Sequence, residues 1–360
     1  MIAQFIDHQD VRWREFLKRT KHDFYDLPEY VELAAAEETA IPMAFYAERQ
    51  SEACLIPLLV RPIPQMLNAP RDWCDCMSPY GYPGVLLSPS HGQLSLFLEA
   101  FCDIARERGI VTAFIRLHPL FPLPQGPLEE FGQLISHGPT VYINLSDSKE
   151  HIWQQVSTNH QRDIKRLMRR GYYCTRDDWN RFPEFIALYH ANMQRVGAKG
   201  RYFFSRAYFE KLRTQLGDRV HLVCAMTGTN DLAAAGLMII TDGIAQHHLL
   251  ATAEQYQRRS PSKLVVDCMW RWAQEQVCHT FHIGGGVGGR EDSLFHFKAG
   301  FSPMRSQFCS YRVVMDNVKN RALNLLVNLS ADVRASADFF PGYRHFEKQS
   351  DSALIPPMIS

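Results

Sequence analysis

The chain has 360 residues, 46% of them hydrophobic, and a formal net charge of +1. That is enough chain for two domains with substantial cores, and the composition is that of an ordinary globular protein with no DNA partner. No apolar run approaches the roughly 20 residues of a membrane span, and the opening Met1 to His8 is too polar for a secretory signal, which predicts a cytoplasmic protein. Nine cysteines are scattered with Cys74-x-Cys76 as the only close pair, so reduced thiols are expected rather than disulfides or a metal site.

In chain order, Trp13, Phe16 and Leu17 fall at helical spacing, and Pro28 sits at the first turn of a second helix through Tyr30, Val31 and Leu33. Two helices are therefore expected in the first 40 residues. Strands follow at Met43 to Glu48 and Ala53 to Arg61. The loop Ser78-Pro79-Tyr80-Gly81-Tyr82-Pro83-Gly84 offers the hydroxyls and rings of Tyr80 and Tyr82 to a ligand. A helix from Gln93 to Arg108 leads into a strand, Val111 to Leu117, which ends in Arg116-Leu117-His118-Pro119, and Arg116 and His118 are candidate binding residues at that strand end. Alternation of Val141, Ile143 and Leu145 marks a strand from Pro139 to Leu145.

The second half repeats the plan. One helix is predicted from Lys149 to Arg170, with Arg162, Lys165, Arg166, Arg169 and Arg170 largely on one face and Gly171 as C-cap. Helices at Pro183 and from Ser205 to Gly217 precede a meander, Val220 to Met226, Leu232 to Ile240 and Ile244 to Thr252, turned at Asp242-Gly243. Between Arg162 and Arg219 lie fourteen Lys/Arg against six Asp/Glu, so an anionic partner could meet this segment. Ser260 as N-cap and Pro261 at the first position open a helix to about Val277, and Arg258, Arg259 and Lys263 cluster there as an anion site in outline.

Residues 281 to 303 combine the end of a strand with a glycine loop and the segment Phe297-Lys298-Ala299-Gly300-Phe301. Five glycines between Gly284 and Gly289 allow bare backbone, at Gly285 and Gly286 above all, to approach a ligand. Gly284, Gly286 and Gly289 satisfy G-x-G-x-x-G, but no helix and second strand with an acidic residue follow, so a dinucleotide site is rejected. Lys298, held beside Phe297, is the candidate to meet a developing negative charge. A helix over residues 316 to 328 and a tail from about Gln349 end the chain.

The Ser78 to Gly84 loop, the Asn159-His160-Gln161-Arg162-Asp163-Ile164-Lys165-Arg166 helix followed by Gly171, the Arg259-Ser260-Pro261-Ser262 helix opening and the Gly284 to Phe301 segment together resemble Fem-type transferases of the GNAT acyltransferase superfamily. The resemblance covers roughly residues 20 to 315. It implies an α/β (α+β) fold of tandem GNAT-like domains, residues 1–145 and 146–315, with mixed, mostly antiparallel sheets, then a C-terminal helix and tail over 316–360. It also implies transfer of an acyl or aminoacyl group to an amine of a cell-envelope or metabolite precursor, with Lys298 as the oxyanion-stabilising lysine of the family's aromatic-Lys motif. The co-substrate would be aminoacyl-tRNA or acyl-CoA, with no tightly bound cofactor. Gln257-Arg258-Arg259-Ser260-Pro261-Ser262 lacks the glycines of the usual CoA pyrophosphate loop, so both donors stay open. Glu254 and His248, near the end of the third meander strand, are candidate proton acceptors. A lipid-linked precursor would bring peripheral membrane contact. The competing expectation is a catalytically degenerate GNAT module that binds a nucleotide-sugar or a protein partner.

Overall fold

The computed structural model describes residues 1–89, 92–198, 200–330 and 339–345, leaving out the side chains of 201 and 328–330. The tail expected from Gln349 lies outside the described residues. The chain forms two compact units, Met1–Ser136 with Lys199–Arg201 and Cys309–Ser360, and His137–Ala198 with Tyr202–Phe308.

The first unit opens with β1 (Ile2–Asp7), α1 (Val11–Lys18), α2 (Pro28–Glu38), β2 (Ile41–Arg49) and β3 (Glu52–Pro62). It continues with β4 (Cys74–Met77), β5 (Leu86–Ser88), α3 (Leu94–Glu107), β6 (Ile110–Leu117) and α4 (Gln125–Phe131). β1 corrects the expectation that the chain begins with helices: Ile2 to Asp7 pair in full register with Glu48 back to Met43, a contact that local spacing does not contain. Pro28 does open α2, where its missing N–H costs nothing.

The second unit runs β7 (Gln133–Asn144), α5 (Lys149–Gln155), α6 (Thr158–Arg169), β8 (Tyr173–Arg176), α7 (Phe182–Arg195), α8 (Arg206–Leu216), β9 (Val220–Met226), β10 (Leu232–Thr241) and β11 (Ile244–Thr252). Then come α9 (Ser262–Glu275), β12 (Thr280–Gly284), α10 (Ser293–Ala299) and β13 (Arg305–Val314), whose residues from Cys309 on return to the first unit, as does α11 (Asn317–Ser330). The single helix expected from Lys149 to Arg170 is two helices. Val156 is extended and Ser157 caps α6, its Oγ accepting from the His160 N–H at 3.4 Å, so the second helix starts at a new angle.

Strand order in the first unit is β1-β2-β3-β4-β6-β13, all neighbours antiparallel except β4 and β6. In the second it is β8-β9-β10-β11-β12-β7, all antiparallel except β11 and β12. Each parallel pair needs a crossover, supplied by α3 in one unit and α9 in the other. Each unit has its own core: Phe45, Phe97 and Phe101 anchor the first, and Phe281, Met269 and Trp270 the second.

Candidate active site

β11 and β12 pair only at Ile244, Ala245 and Gln246 with Thr280, Phe281 and His282. Beyond that point β11 runs on to Thr252 and β12 to Gly284 without further mutual pairing, so the two strands part. His282 closes the apex, its ring nitrogens 2.9 Å from Gln246 Oε1 and 3.0 Å from Thr140 Oγ1. Opposite, β11 carries a bulge: Leu237 faces Leu249 and Met238 faces His247, leaving His248 as the extra residue. Parting strands and a bulge both leave peptide groups outside the ladder, which is the local condition for binding an extended ligand.

His247 is the first β11 residue past the last parallel pair. On β12 the first residue past the pair is Ile283. Among the described residues the buried Nε2 of His247 has no hydrogen-bond partner. Burial, reinforced by the neighbouring Lys298 cation, pulls its pKa down to about 3, so the ring is neutral and presents Nε2 as an acceptor. His248 is likewise held down to about 3 by burial, and its Nε2 lies 3.2 Å from the Tyr208 hydroxyl. A histidine so hard to protonate is a poor proton store but a good hydrogen-bond partner.

Lys298 projects from α10, and its half-buried Nζ donates to the Gly285 carbonyl at 2.7 Å. Burial lowers its pKa to about 8, against the smaller pull of the Asp292 carboxylate. It therefore carries a poorly solvated charge near neutrality. The loop beneath it is tightly built. Asp292 caps α10 by accepting from Phe295 N at 2.9 Å and holds the loop by accepting from Val287 N at 2.9 Å. A Cβ on Gly286 would stand 2.0 Å from the Arg290 carbonyl and 2.4 Å from Asp292 Oδ1, so no other residue fits there. Gly289 holds φ at +81°, with the His137 backbone against it.

α6 fixes the other end of α10. His160 Nε2 donates to the Phe297 carbonyl at 2.9 Å, and Ser157 N donates to the Gly300 carbonyl at 2.8 Å. The His160 ring packs edge-on against Phe301, with centroids 4.6 Å apart, and lies 5.7 Å from Phe297. A Cβ at Gly300 would come within 2.5 Å of that ring. The aromatic residues around Lys298 thus lock its helix rather than sandwich its charge.

The other predicted residues divide into three groups. Lys263 is buried and donates to Asp163 Oδ2 at 2.6 Å, while Arg166 bonds Asp163 Oδ1 at 2.9 Å. Arg259 bonds the Tyr172 hydroxyl at 2.9 Å, and Arg258 is exposed. Ser260 does not cap α9. It sits in the left-handed region at φ +54°, and Pro261 is the N-cap with no side-chain cap bond, because the preceding 3-10 turn Glu254–Arg259 ends at Ser260. Glu254 opens that turn and is exposed. Arg162, with Lys165, Arg169 and Arg170, is exposed on α6.

Tyr80, Tyr82, Arg116 and His118 belong to the first unit. His118 Nε2 is 2.8 Å from Asp23 Oδ2, and its Nδ1 accepts from Leu120 N at 3.1 Å. Arg116 donates to the Ser78 carbonyl at 3.1 Å. Gly84 N donates at 3.1 Å to Asp26, whose carboxyl burial raises to about 8. The cluster binds the Tyr80 loop to the 3-10 turn Phe24–Asp26, with Tyr80 half-exposed at its edge. His247 and His160 were absent from the sequence-based candidates. His247 next to the weighed His248 and His160 in the Asn159 to Arg166 stretch were the available signals.

Among the described residues, no group of three or more His, Cys, Asp or Glu is placed to hold a metal ion, and no helix is long and apolar enough to cross a membrane. An open depression of about 510 Å³ lined by Leu216, Arg219, His221 and Gln276 contains neither Lys298 nor His247.

Residues 154–298 match the acetyltransferase (GNAT) domain family, a span that ends on Lys298. No curated protein matches the chain in sequence. Among solved structures, FemX is 12% identical with a TM-score of 0.64, the alignment covering 88% of this chain and 96% of that one. L-PGS from Bacillus licheniformis is 12% identical with a TM-score of 0.54, covering 85% and 92%. Residues 154–298 thus match the GNAT domain family, and the chain shares its fold with FemX and L-PGS.

Proposed function

We propose that the protein is an N-acyltransferase that passes an aminoacyl group from an activated ester to an amine of a cell-envelope or metabolite precursor. The observation that carries this reading is the pairing of opposite hydrogen-bonding roles where β11 and β12 part: the Lys298 ammonium as donor and the neutral His247 Nε2 as an acceptor with no partner among the described residues. Attack of an amine on an activated carbonyl builds negative charge on the carbonyl oxygen and positive charge on the nitrogen. Lys298 answers the first by donating to the oxyanion. His247 answers the second by accepting from an N–H of the incoming amine, which orients its lone pair while the proton passes on to solvent. Direct transfer follows, without a covalent enzyme intermediate: the new C–N bond forms as the ester oxygen departs with the electron pair.

The aminoacyl donor is favoured by the exposed cations of α6, Arg162, Lys165, Arg169 and Arg170, which form a surface suited to many phosphates. Lys263, in contrast, is engaged by Asp163 and so contributes less to a compact pyrophosphate site than its position suggests.

The test is a donor screen with the purified full chain, setting a mixture of charged tRNAs against short and long acyl-CoAs, with peptide-amine precursors as acceptors and amide product read by mass spectrometry. Amide formed only from charged tRNA, and lost in Lys298→Ala, is the expected result. Turnover from acyl-CoA alone overturns the donor. Ligand binding by a folded protein with no turnover from either class shows a binding module instead.

A further inference from the structure

We propose that Cys174 and Cys268 form a redox-active pair in which Cys268 is oxidised by a hydroperoxide and Cys174 resolves the product as a disulfide tying β8 to α9. The geometry rests on two faces in contact. Cys174 and Arg176, two apart on β8, share one face of the strand. Leu264, Cys268, Trp272 and Glu275 follow helical spacing along α9 and share one of its faces. Three contacts bind these faces together: Cys174 Sγ lies 3.6 Å from the Leu264 carbonyl, one turn before Cys268. Arg176 Nη1 lies 2.5 Å from Glu275 Oε2, and the guanidinium sits 5.3 Å from the Trp272 ring centroid.

Cys268 falls between these anchors, one helical turn after Leu264 on the face of α9 that meets Cys174 and Arg176. The neighbouring Cys174 thiol favours thiolate at Cys268, against burial and with help from Arg176, while the same neighbour and burial keep the proton on Cys174. The pair thus has an attacking thiolate and a protonated partner. Both residues are half-buried, so a small oxidant can reach them.

In the first step the Cys268 thiolate attacks the peroxide oxygen, an S–O bond forms, the O–O bond breaks, and alkoxide or hydroxide leaves. In the second, Cys174 sulfur displaces water from the sulfenic acid, forming the S–S bond. Two thiols lose two electrons in total, and one hydroperoxide is reduced.

The test exposes the native full chain to hydrogen peroxide and maps its cysteines by mass spectrometry under non-reducing conditions. Cys74 and Cys309 have comparable exposure and serve as internal references. The expected result is a Cys174–Cys268 link that forms first and is reversed by a reducing thiol. Cys174→Ser should leave a sulfenic acid at Cys268 that dimedone traps, and Arg176→Gln should slow oxidation by about tenfold. Oxidation of Cys74 or Cys309 at the rate of Cys268, or over-oxidation of Cys268 with no link in the wild-type chain, overturns the proposal. The wild-type measurement decides even if a variant fails to fold.

Discussion

His160 on α6 donates through Nε2 to the carbonyl of Phe297 at 2.9 Å, the residue just before Lys298. Its Nδ1 is buried and has no partner among the described residues, and burial lowers the ring's pKa, so the imidazole is neutral with Nε2 as the donor. Two helices far apart in sequence are thereby joined one residue from Lys298, the proposed oxyanion donor. In the proposed mechanism His160 is a positioning residue, acting through α10 rather than on substrate.

His160→Phe keeps a ring against Phe301 but leaves the Phe297 carbonyl without its donor. Loss of about 1–3 kcal/mol in stability is expected for an unpaired buried acceptor. A purely structural role would stop there. A positioning role also loosens Lys298 toward solvent, so the alkaline limb of the kcat profile should move upward in the variant. An unchanged pH profile with the same stability loss would assign His160 to packing alone.

Lys298 itself sets that limb. If the ammonium is the active form, kcat falls as pH rises through about 8, where the folded-state lysine loses its proton. The stability effect has the opposite sense. Because the folded pKa lies below the ordinary value of 10.5, the unfolded chain binds more protons between about 8 and 10.5, and folding stability rises with pH across that window. Lys298→Met should abolish this rise and lower kcat by about 100-fold or more, since losing one oxyanion donor typically costs about 3 kcal/mol. Full turnover in Lys298→Met with a changed melting profile would make the lysine structural.

Much of the second unit could be read from local signals. β9 and β11 have the bounds that alternation and the Asp242-Gly243 turn predict, and Lys298 was singled out by the glycine loop beside it. What was not legible depends on partners distant in sequence. β1 exists because it pairs with β2, and the break at Val156 is imposed where Ser157 N meets the Gly300 carbonyl. Lys263 looks like one of three cations at a helix start, yet Asp163, a hundred residues earlier, takes it into a buried pair. His247 acquires its proposed role only because β11 and β12 part just before it.

The Asp163–Lys263 pair carries its own prediction. Both side chains are 8% exposed, and although burial raises the Asp163 pKa, the Lys263 bond and charge outweigh it and hold the carboxyl below 3.8. Removing one partner of such a pair strands the other charge, so Asp163→Ala should cost about 3–5 kcal/mol in a denaturation experiment. Since the folded pKa is depressed, this stabilisation is present above 3.8 and disappears as pH falls through the lower folded value. Equal acid sensitivity in the wild type and Asp163→Ala would show that the pair adds nothing.

The basic face of α6 offers a test of the proposed donor. Arg162, Arg169 and Arg170 are exposed, whereas Arg166 supports Asp163 and is better left alone. Reversing the first three to Glu changes the local charge by six units without touching Lys298, at the loss of the 3.8 Å ion pair between Arg162 and Asp163. If charged tRNA lies on this face, its affinity should drop by at least about tenfold in the variant, and the wild-type affinity should fall steeply between about 50 and 200 mM salt, because each neutralised phosphate releases counterions. The variant's shallower salt dependence separates lost phosphate contacts from a general loss of fold, which its melting temperature checks independently. Turnover of a small activated aminoacyl ester, which reaches Lys298 without the tRNA body, should be unchanged. A triple variant that keeps wild-type affinity and salt slope would show that these arginines only solvate the helix, and the donor would have to be sought among smaller thioesters.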